Sequence, residues 1–472
     1  MNRRTILTLL ALLVPLMLSS CATDGSTPSR FVPSDDAPVM PSRDFGKYIE
    51  GARNRAAYIN RTTETPIPAQ HLAAVGPFEL RPRPKDQDCK GQARAPYDRG
   101  VLLIHGLNDT PFSMWDLGAR FAAACYLVRG ILLPGHGTIP GDLLTIGLPA
   151  WREAVARGIE SFEGEADRLV IVGFDLGANL ALDAALQRDR RRAEQRSRIG
   201  DGLELNGIVL LAPAFSYDPP PFPPAAVGPA GQVLWGAAFE KRDSLRYNSV
   251  AKPSVQATNQ LGRDLLNVEA PLHLPLFMVL SAEDDVSDGS LAREWFCRQR
   301  VTPRHLLWYS RYPDAPLPDC SCTVERRDSR ANERQVCVSV RPSSCVLPPS
   351  RNGGLNPLPS PENCRSNPYD GKNSDFGTAI LDLGHIALLA APENPRYGAI
   401  AKSNDCLHYS FVKDTPKGQA CAGKAGGDGS QALRYGETSE GNLQNYTLRR
   451  LTYNPDFDHM AEQMIDFLQR SN

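Results

Sequence analysis

The chain has 472 residues, 42% of them hydrophobic and 22% charged. With 52 Lys and Arg against 53 Asp and Glu, the formal net charge is −1, so no basic field marks nucleic acid as a partner. The length exceeds a typical single domain but suits one elaborated α/β domain.

Met1-Asn2-Arg3-Arg4 is a short basic start, and an apolar run follows from Ile6 to Leu18, interrupted by Thr8 and Pro15. A bilayer span takes roughly 18 residues or more, so this run matches the core of a secretory signal instead. It ends in Leu18-Ser19-Ser20-Cys21, which resembles the lipobox of bacterial lipoproteins. The resemblance implies loss of residues 1–20 and lipidation of Cys21, palmitate being one expected acyl group. Ala22, in place of a retention aspartate, implies the outer membrane, facing the periplasm. An ordinary signal peptide ending near a cysteine is the plainer alternative. No other apolar run is long enough to span a membrane.

Of eleven cysteines, ten remain after Cys21. An even number in an exported chain predicts disulfides, whose pairing the sequence leaves open. Residues 21–45, rich in Ser, Pro, Asp and Thr, read as a lipidated tether, and 46–472 as the folded body. A helix is expected over 46–60, and Phe78-Glu79-Leu80 as a first strand.

From Gly100 the pattern sharpens. Val101–Ile104 is a short continuous apolar run of the kind buried on both faces of a parallel sheet. Ile131–Leu133, Leu169–Val172, Ile208–Leu211 and Leu276–Leu280 repeat it, and His305–Tyr309 is expected as the last strand. Helical stretches at 112–124, 149–161, 177–195 and 289–298 alternate with them. This predicts a mostly parallel central sheet with helices on both faces.

Two segments break the alternation. Residues 213–270, with a proline cluster at 219–224, are a candidate lid. Residues 311–376 hold Cys320, Cys322, Cys337, Cys345 and Cys364 with little apolar periodicity, and read as an insertion stapled by disulfides. Zinc is the rival reading there, but Cys320-x-Cys322 lacks a second pair or nearby histidines. No metal or cofactor is expected, and no internal repeat is present.

The strongest motif is Gly173-Phe174-Asp175-Leu176-Gly177, which follows a buried strand and opens a helix. That is the context of a nucleophile elbow, whose small flanking residues let strand and helix meet in a sharp turn. The central residue is Asp175 where serine is usual. Aspartate also caps helices well, so the motif alone has a purely structural reading. Three further features accompany it. His105-Gly106 follows the strand 101–104, where a loop could offer the Leu107 N–H beside that of Leu176 to a developing oxyanion. Glu283-Asp284-Asp285 follows the strand 276–280; spacing favours Asp285 as an acid, with Asp284 the alternative. Leu383-Gly384-His385 comes late and offers His385 as a general base.

With these residues in view, 100–182 resembles the carboxylesterase and monoacylglycerol-lipase-like branch of the α/β-hydrolases. The likeness rests on GVLLIHGLNDTPFSM, LLPGHGTIPGDL and IVGFDLGANLAL, and resumes at 243–288 and 379–400. It implies the α/β-hydrolase fold, a triad in the order Asp175, Asp285, His385, and an oxyanion hole at Leu107 and Leu176. His136 is expected to structure its loop. The departure at Asp175 puts esterase chemistry in question, because a carboxylate attacking an acyl carbon gives a mixed anhydride. Carboxylate nucleophiles suit saturated carbon, as in dehalogenases and epoxide hydrolases of this fold. Leu176 stands where the dehalogenases place a halide-binding tryptophan. Tyr217 and Tyr247 lie in the candidate lid, where epoxide opening would need acidic donors. The expected function is a hydrolase acting on a small-molecule or lipid-like substrate. The second reading is a catalytically silent hydrolase fold serving as a binding or scaffold lipoprotein.

Overall fold

A computed structural model describes residues 28–471 apart from 64–65, 83–88, 90–94, 195–202, 218–233, 239–242, 269–271, 285, 300–302, 311–322, 326–333, 343–344, 347–378, 381, 400–420 and 422–433. Cys21 and the N-terminal apolar run lie outside the described residues. Among those described, no helix is long and apolar enough to cross a membrane.

The strands β1 (Phe78–Leu80), β2 (Tyr97–Ile104), β3 (Leu127–Ile131), β4 (Ala166–Phe174) and β5 (Glu204–Leu211) form one half of the central sheet. A small pair, β6 (Trp235–Ala237) and β7 (Val250–Ala251), stands apart from it. The sheet continues with β8 (Leu276–Ser281), β9 (Arg304–Ser310), β10 (Thr323–Glu325) and β11 (Arg334–Pro342), in the order β1-β3-β2-β4-β5-β8-β9-β11-β10. Its edges β1 and β10 pair antiparallel, and the strands between them run parallel. This is the mostly parallel sheet that the apolar runs predict, in the α/β-hydrolase arrangement that the resemblance implies.

Alternation along the strands builds a core on each face. In β2, Leu102 and Ile104 join one cluster while Val101 and Leu103 join the other. In β4, Leu169 and Ile171 face the first cluster, and Val170, Val172 and Phe174 the second. Helices Leu148–Glu160 and Leu176–Glu194 cover the first face through Trp151, Val155 and Leu182. Helices Trp115–Ala123 and Phe457–Arg470 cover the second through Phe121, Met460 and Met464. Burying each large apolar side chain stabilises by about 1.5–3 kcal/mol before entropy is counted. Continuous apolar runs are therefore tolerated only where both faces are covered.

Three features go beyond the sequence expectations, and the first corrects one of them. First, β9 is not the last strand: β11 adds in parallel beside it from within the cysteine-rich segment. Its Val336, Val338 and Val340 alternate with period two, which is the strand signal in an otherwise loop-like composition. The side chains of that segment's five cysteines lie outside the described residues; Cys89 and Cys125 are joined in a disulfide, and Cys297 and Cys421 are also disulfide-bonded. Second, the candidate lid holds a helix, Lys252–Leu266, with Val255, Thr258, Leu261 and Leu265 buried at helical spacing. Third, part of the expected tether lies on the body. Phe31 is buried against Trp235 at 5.1 Å, and the Ser34 N–H donates to Asp142. An aromatic side chain with a partner of that size is held to the surface rather than left in solvent.

A second, four-stranded sheet lies in the order β12 (Cys345–Val346), β13 (Ala379–Ile380), β14 (Arg434–Gly436) and β15 (Leu448–Arg450). The chain leaves β13 for the loop that carries His385, and leaves β14 directly into Glu437.

Candidate active site

The site forms where parallel strands end and loops diverge. β4 runs into the helix Leu176–Glu194 through one residue, Asp175, at φ +53°. That left-handed conformation is costly for a residue with a Cβ, and is fixed here by its surroundings. The Asp175 N–H donates to the Leu211 carbonyl at 2.9 Å, and its own carbonyl accepts the Ala178 N–H at 3.0 Å. Glycine is required on both sides. A Cβ on Gly173 would lie 2.1 Å from the Gly177 carbonyl oxygen, and one on Gly177 would lie 2.2 Å from that of Ile104.

The Asp175 side chain does not cap its helix in the usual way, by accepting an N–H two or three residues on. Its Oδ2 accepts the Leu107 N–H at 2.8 Å, and the Leu176 N–H lies close enough to the carboxylate to favour its charged form. The two N–H groups that the sequence nominates for an oxyanion therefore converge on Asp175 itself. Its Oδ1 has no hydrogen-bond partner among the described residues and points to His385, whose Nε2 is 3.8 Å away. Asp175 is 2% exposed and His385 3%.

The acid on His385 is Asp284, whose Oδ2 is 2.7 Å from Nδ1. The other Asp284 oxygen accepts the Val286 and Ser287 N–H groups, a local turn that aims the side chain inward. Asp285, which spacing favours, lies outside the described residues. Ser287 Oγ donates to Asp284 and stands 3.5 Å from the same imidazole nitrogen.

Electrostatics follow from burial and these contacts. Burial alone would lower the imidazolium pKa of His385, but Asp284, Asp175 and Glu437 outweigh it and push it up to about 9. Burial would likewise raise the Asp284 carboxyl; the facing imidazolium and the two turn N–H groups hold it below the ordinary carboxylate range. For Asp175, burial prevails over His385 and the two N–H bonds, and its carboxyl is raised. The resting arrangement is an imidazolium paired tightly with Asp284 and more loosely with Asp175.

His136 does not enter this chemistry. Its Nε2 accepts the Asn108 N–H at 3.2 Å, its ring stacks on Tyr247, and burial lowers its pKa to about 4. Tyr247 is also structural: its hydroxyl accepts the Thr138 N–H and donates to the Gly135 carbonyl. Tyr217 is buried, and its hydroxyl lies within the field of the Asp175 and Asp284 carboxylates. Among the described residues no three His, Cys, Asp or Glu side chains cluster as a metal site. Glu437, which accepts the His385 N–H at 2.9 Å, has no signal in the sequence.

Residues 101–347 match the profile of the Alpha/beta hydrolase family, just over half of the chain. The match ends before His385. A thermostable monoacylglycerol lipase of Bacillus sp. is 34% identical over 83 residues, 18% of this chain and 33% of the lipase. The chain thus spans only a third of that curated relative's length. Similar solved structures include that reported for LipS and LipT, two metagenome-derived lipolytic enzymes, at 21% identity and TM-score 0.38, covering 50% of this chain and 87% of theirs. The Paleococcus ferrophilus monoacylglycerol lipase is another, at 14% identity and TM-score 0.36, covering 50% and 88%.

Proposed function

The chain belongs to the alpha/beta hydrolase family, and from that premise we propose that it is a hydrolase whose nucleophile is Asp175, acting at saturated carbon of a small lipid-like substrate. One observation carries this reading. One oxygen of the Asp175 carboxylate, Oδ2, is held by the Leu107 N–H, and the other has no hydrogen-bond partner among the described residues and faces His385. The local identity with a monoacylglycerol lipase supports a lipid-like substrate.

In the first step Oδ1 attacks carbon, the bond to the leaving group breaks with its electron pair, and an alkyl ester of Asp175 forms. Esterification removes the Asp175 charge, so His385 loses one of the carboxylates that hold it protonated and gives up its proton to solvent or, with an epoxide, to the alkoxide just formed. Neutral His385 then takes a proton from water, and the hydroxide oxygen attacks the Asp175 carboxyl carbon. The oxyanion develops on Oδ2, already held by the Leu107 N–H, with the Leu176 N–H as the second donor. One such donor is worth about 3–4 kcal/mol of barrier. Collapse breaks the bond from the carboxyl carbon to Oδ1 and releases the alcohol, which takes its proton from His385; the regenerated Asp175 acid then passes its own proton to His385 and restores the ion pair.

Asp284 orients the imidazole throughout, in the role that the sequence assigns first to Asp285. The silent-scaffold reading is favoured by a different observation, the near-complete burial of both Asp175 and His385. We further propose that the protein is anchored by lipid on Cys21 at the outer membrane. Trapping separates the enzyme readings. His385→Gln protein incubated with a long-chain terminal epoxide or bromoalkane is expected to accumulate an alkyl adduct on the peptide containing Asp175, read by mass spectrometry. No adduct with either probe, where the variant is folded, would favour the silent scaffold.

A further inference from the structure

The accessory sheet β12–β15 lies largely beyond the family match, yet through Glu437 it reaches the backbone of His385. Glu437 follows β14 and is 1% exposed. Its Oε2 accepts the His385 backbone N–H at 2.9 Å. Its Oε1 accepts the Thr438 N–H and pairs with Arg450 of β15 at 2.8 Å. The Glu437 backbone is held as firmly, its N–H donating to Asp382 and its carbonyl accepting from Asn442. Asn442 also donates to Asp382, which closes the network below the His385 loop. The fit is tight: a Cβ on Gly384 would lie 1.9 Å from Glu437 Oε2.

We infer that Glu437 is a positioning residue for His385, fixing the histidine loop through its backbone N–H and adding negative charge beside the imidazole. The inference rests on the reading of His385 as the site's base for its catalytic consequence, but not for its geometry. Three carboxylates then act on His385 from three elements: Asp284 after β8, Asp175 at the elbow, and Glu437 from the accessory sheet. Arg450 sets how much of the Glu437 charge the imidazole feels. A purely structural buried glutamate would hold the loop without moving the imidazole's titration. The tie also gives the accessory sheet a part in the site, since shifting β14 or β15 would shift the base.

The test is the titration of His385 in the full-length protein, read from imidazole nitrogen chemical shifts, with the resonance assigned by its loss in His385→Gln. Glu437→Gln keeps an acceptor for the N–H but removes the charge, and should lower the His385 midpoint by about one unit. Arg450→Gln leaves the Glu437 charge less compensated and should raise it. Glu437→Ala should in addition speed hydrogen exchange at the His385 amide. These shifts are read in the resting protein, so they stand even if no alkyl adduct forms on Asp175. An unchanged midpoint in a folded Glu437→Gln protein would overturn the inference. Should that variant not fold, an unchanged midpoint in Arg450→Gln would overturn it.

Discussion

Oδ2 of Asp175 lies 2.8 Å from the Leu107 N–H, in the position that an ester hydrolase of this fold would keep for the substrate's oxyanion. Serine would leave that position open, because its side chain ends one atom sooner. The extra carboxylate oxygen thus accounts for two things together. It occupies the place an acyl oxygen needs, and it presents the remaining oxygen to His385. On the proposed reading, loss of acyl chemistry and gain of a poised carboxylate would both follow from the same atom.

Asp175→Ser is therefore expected to free the Leu107 and Leu176 N–H groups and place a hydroxyl near His385 and Asp284. Hydrolysis of a short p-nitrophenyl ester should rise about 100-fold over wild type, within the range a positioned general base supplies. Adding His385→Ala should remove the gain, because the serine proton then has no acceptor. Strong ester hydrolysis by wild type would mean that the nucleophile lies elsewhere.

The buried His385 ion pair makes stability depend on pH in a defined direction. Its folded pKa, about 9, lies above its ordinary 6.5, so its contribution is complete below pH 6.5 and lost as pH rises through 9. The full span is worth up to about 3 kcal/mol. Denaturant unfolding of wild type and His385→Gln at pH 6 and pH 9.5 checks this. The difference between the two proteins should shrink at the higher pH. A constant difference would contradict the charged pair.

Asp284 acts in the opposite window. Its folded pKa is depressed, so its contribution is present above 3.8 and disappears as pH falls through the lower folded value. Asp284→Asn should leave His385 with weaker support. Its imidazole midpoint should fall, and activity towards any substrate found should drop at least 10-fold, since the imidazole loses its orienting partner. A variant with unchanged titration would place the acid outside Asp284.

At the elbow, Gly177→Ala would force a Cβ to 2.2 Å from the Ile104 carbonyl oxygen, an atom of the sheet backbone. The clash cannot be relieved by a rotamer change. It should cost about 3 kcal/mol or more, read as a lowered unfolding midpoint or loss of soluble protein. A neutral effect would mean that strand and helix stand farther apart than described.

The proposed anchor is separable from the fold. Palmitate labelling should mark the mature protein, and Cys21→Ala should abolish labelling and release the chain from membranes or leave it unprocessed. Wild-type protein that is unlabelled and fully soluble would sink the proposal.

The sequence by itself determined the parallel centre of the sheet and the position of the elbow. The runs at Val101–Ile104, Leu169–Val172 and Leu276–Leu280 are local signals, because a strand covered on both faces must be apolar at successive positions. Gly173 and Gly177 are equally legible, since close backbone approach admits no side chain. Tertiary structure alone decided the direction of each polar group. Asp175 has equal local reason to cap a helix or face a pocket, and the choice is made by the Leu107 N–H, 68 residues earlier. Asp284 meets His385 across 101 residues, and Glu437 reaches the same loop across 52. Glu437 leaves no trace in the local pattern, because a buried carboxylate is stabilised by distant donors rather than by its neighbours in sequence.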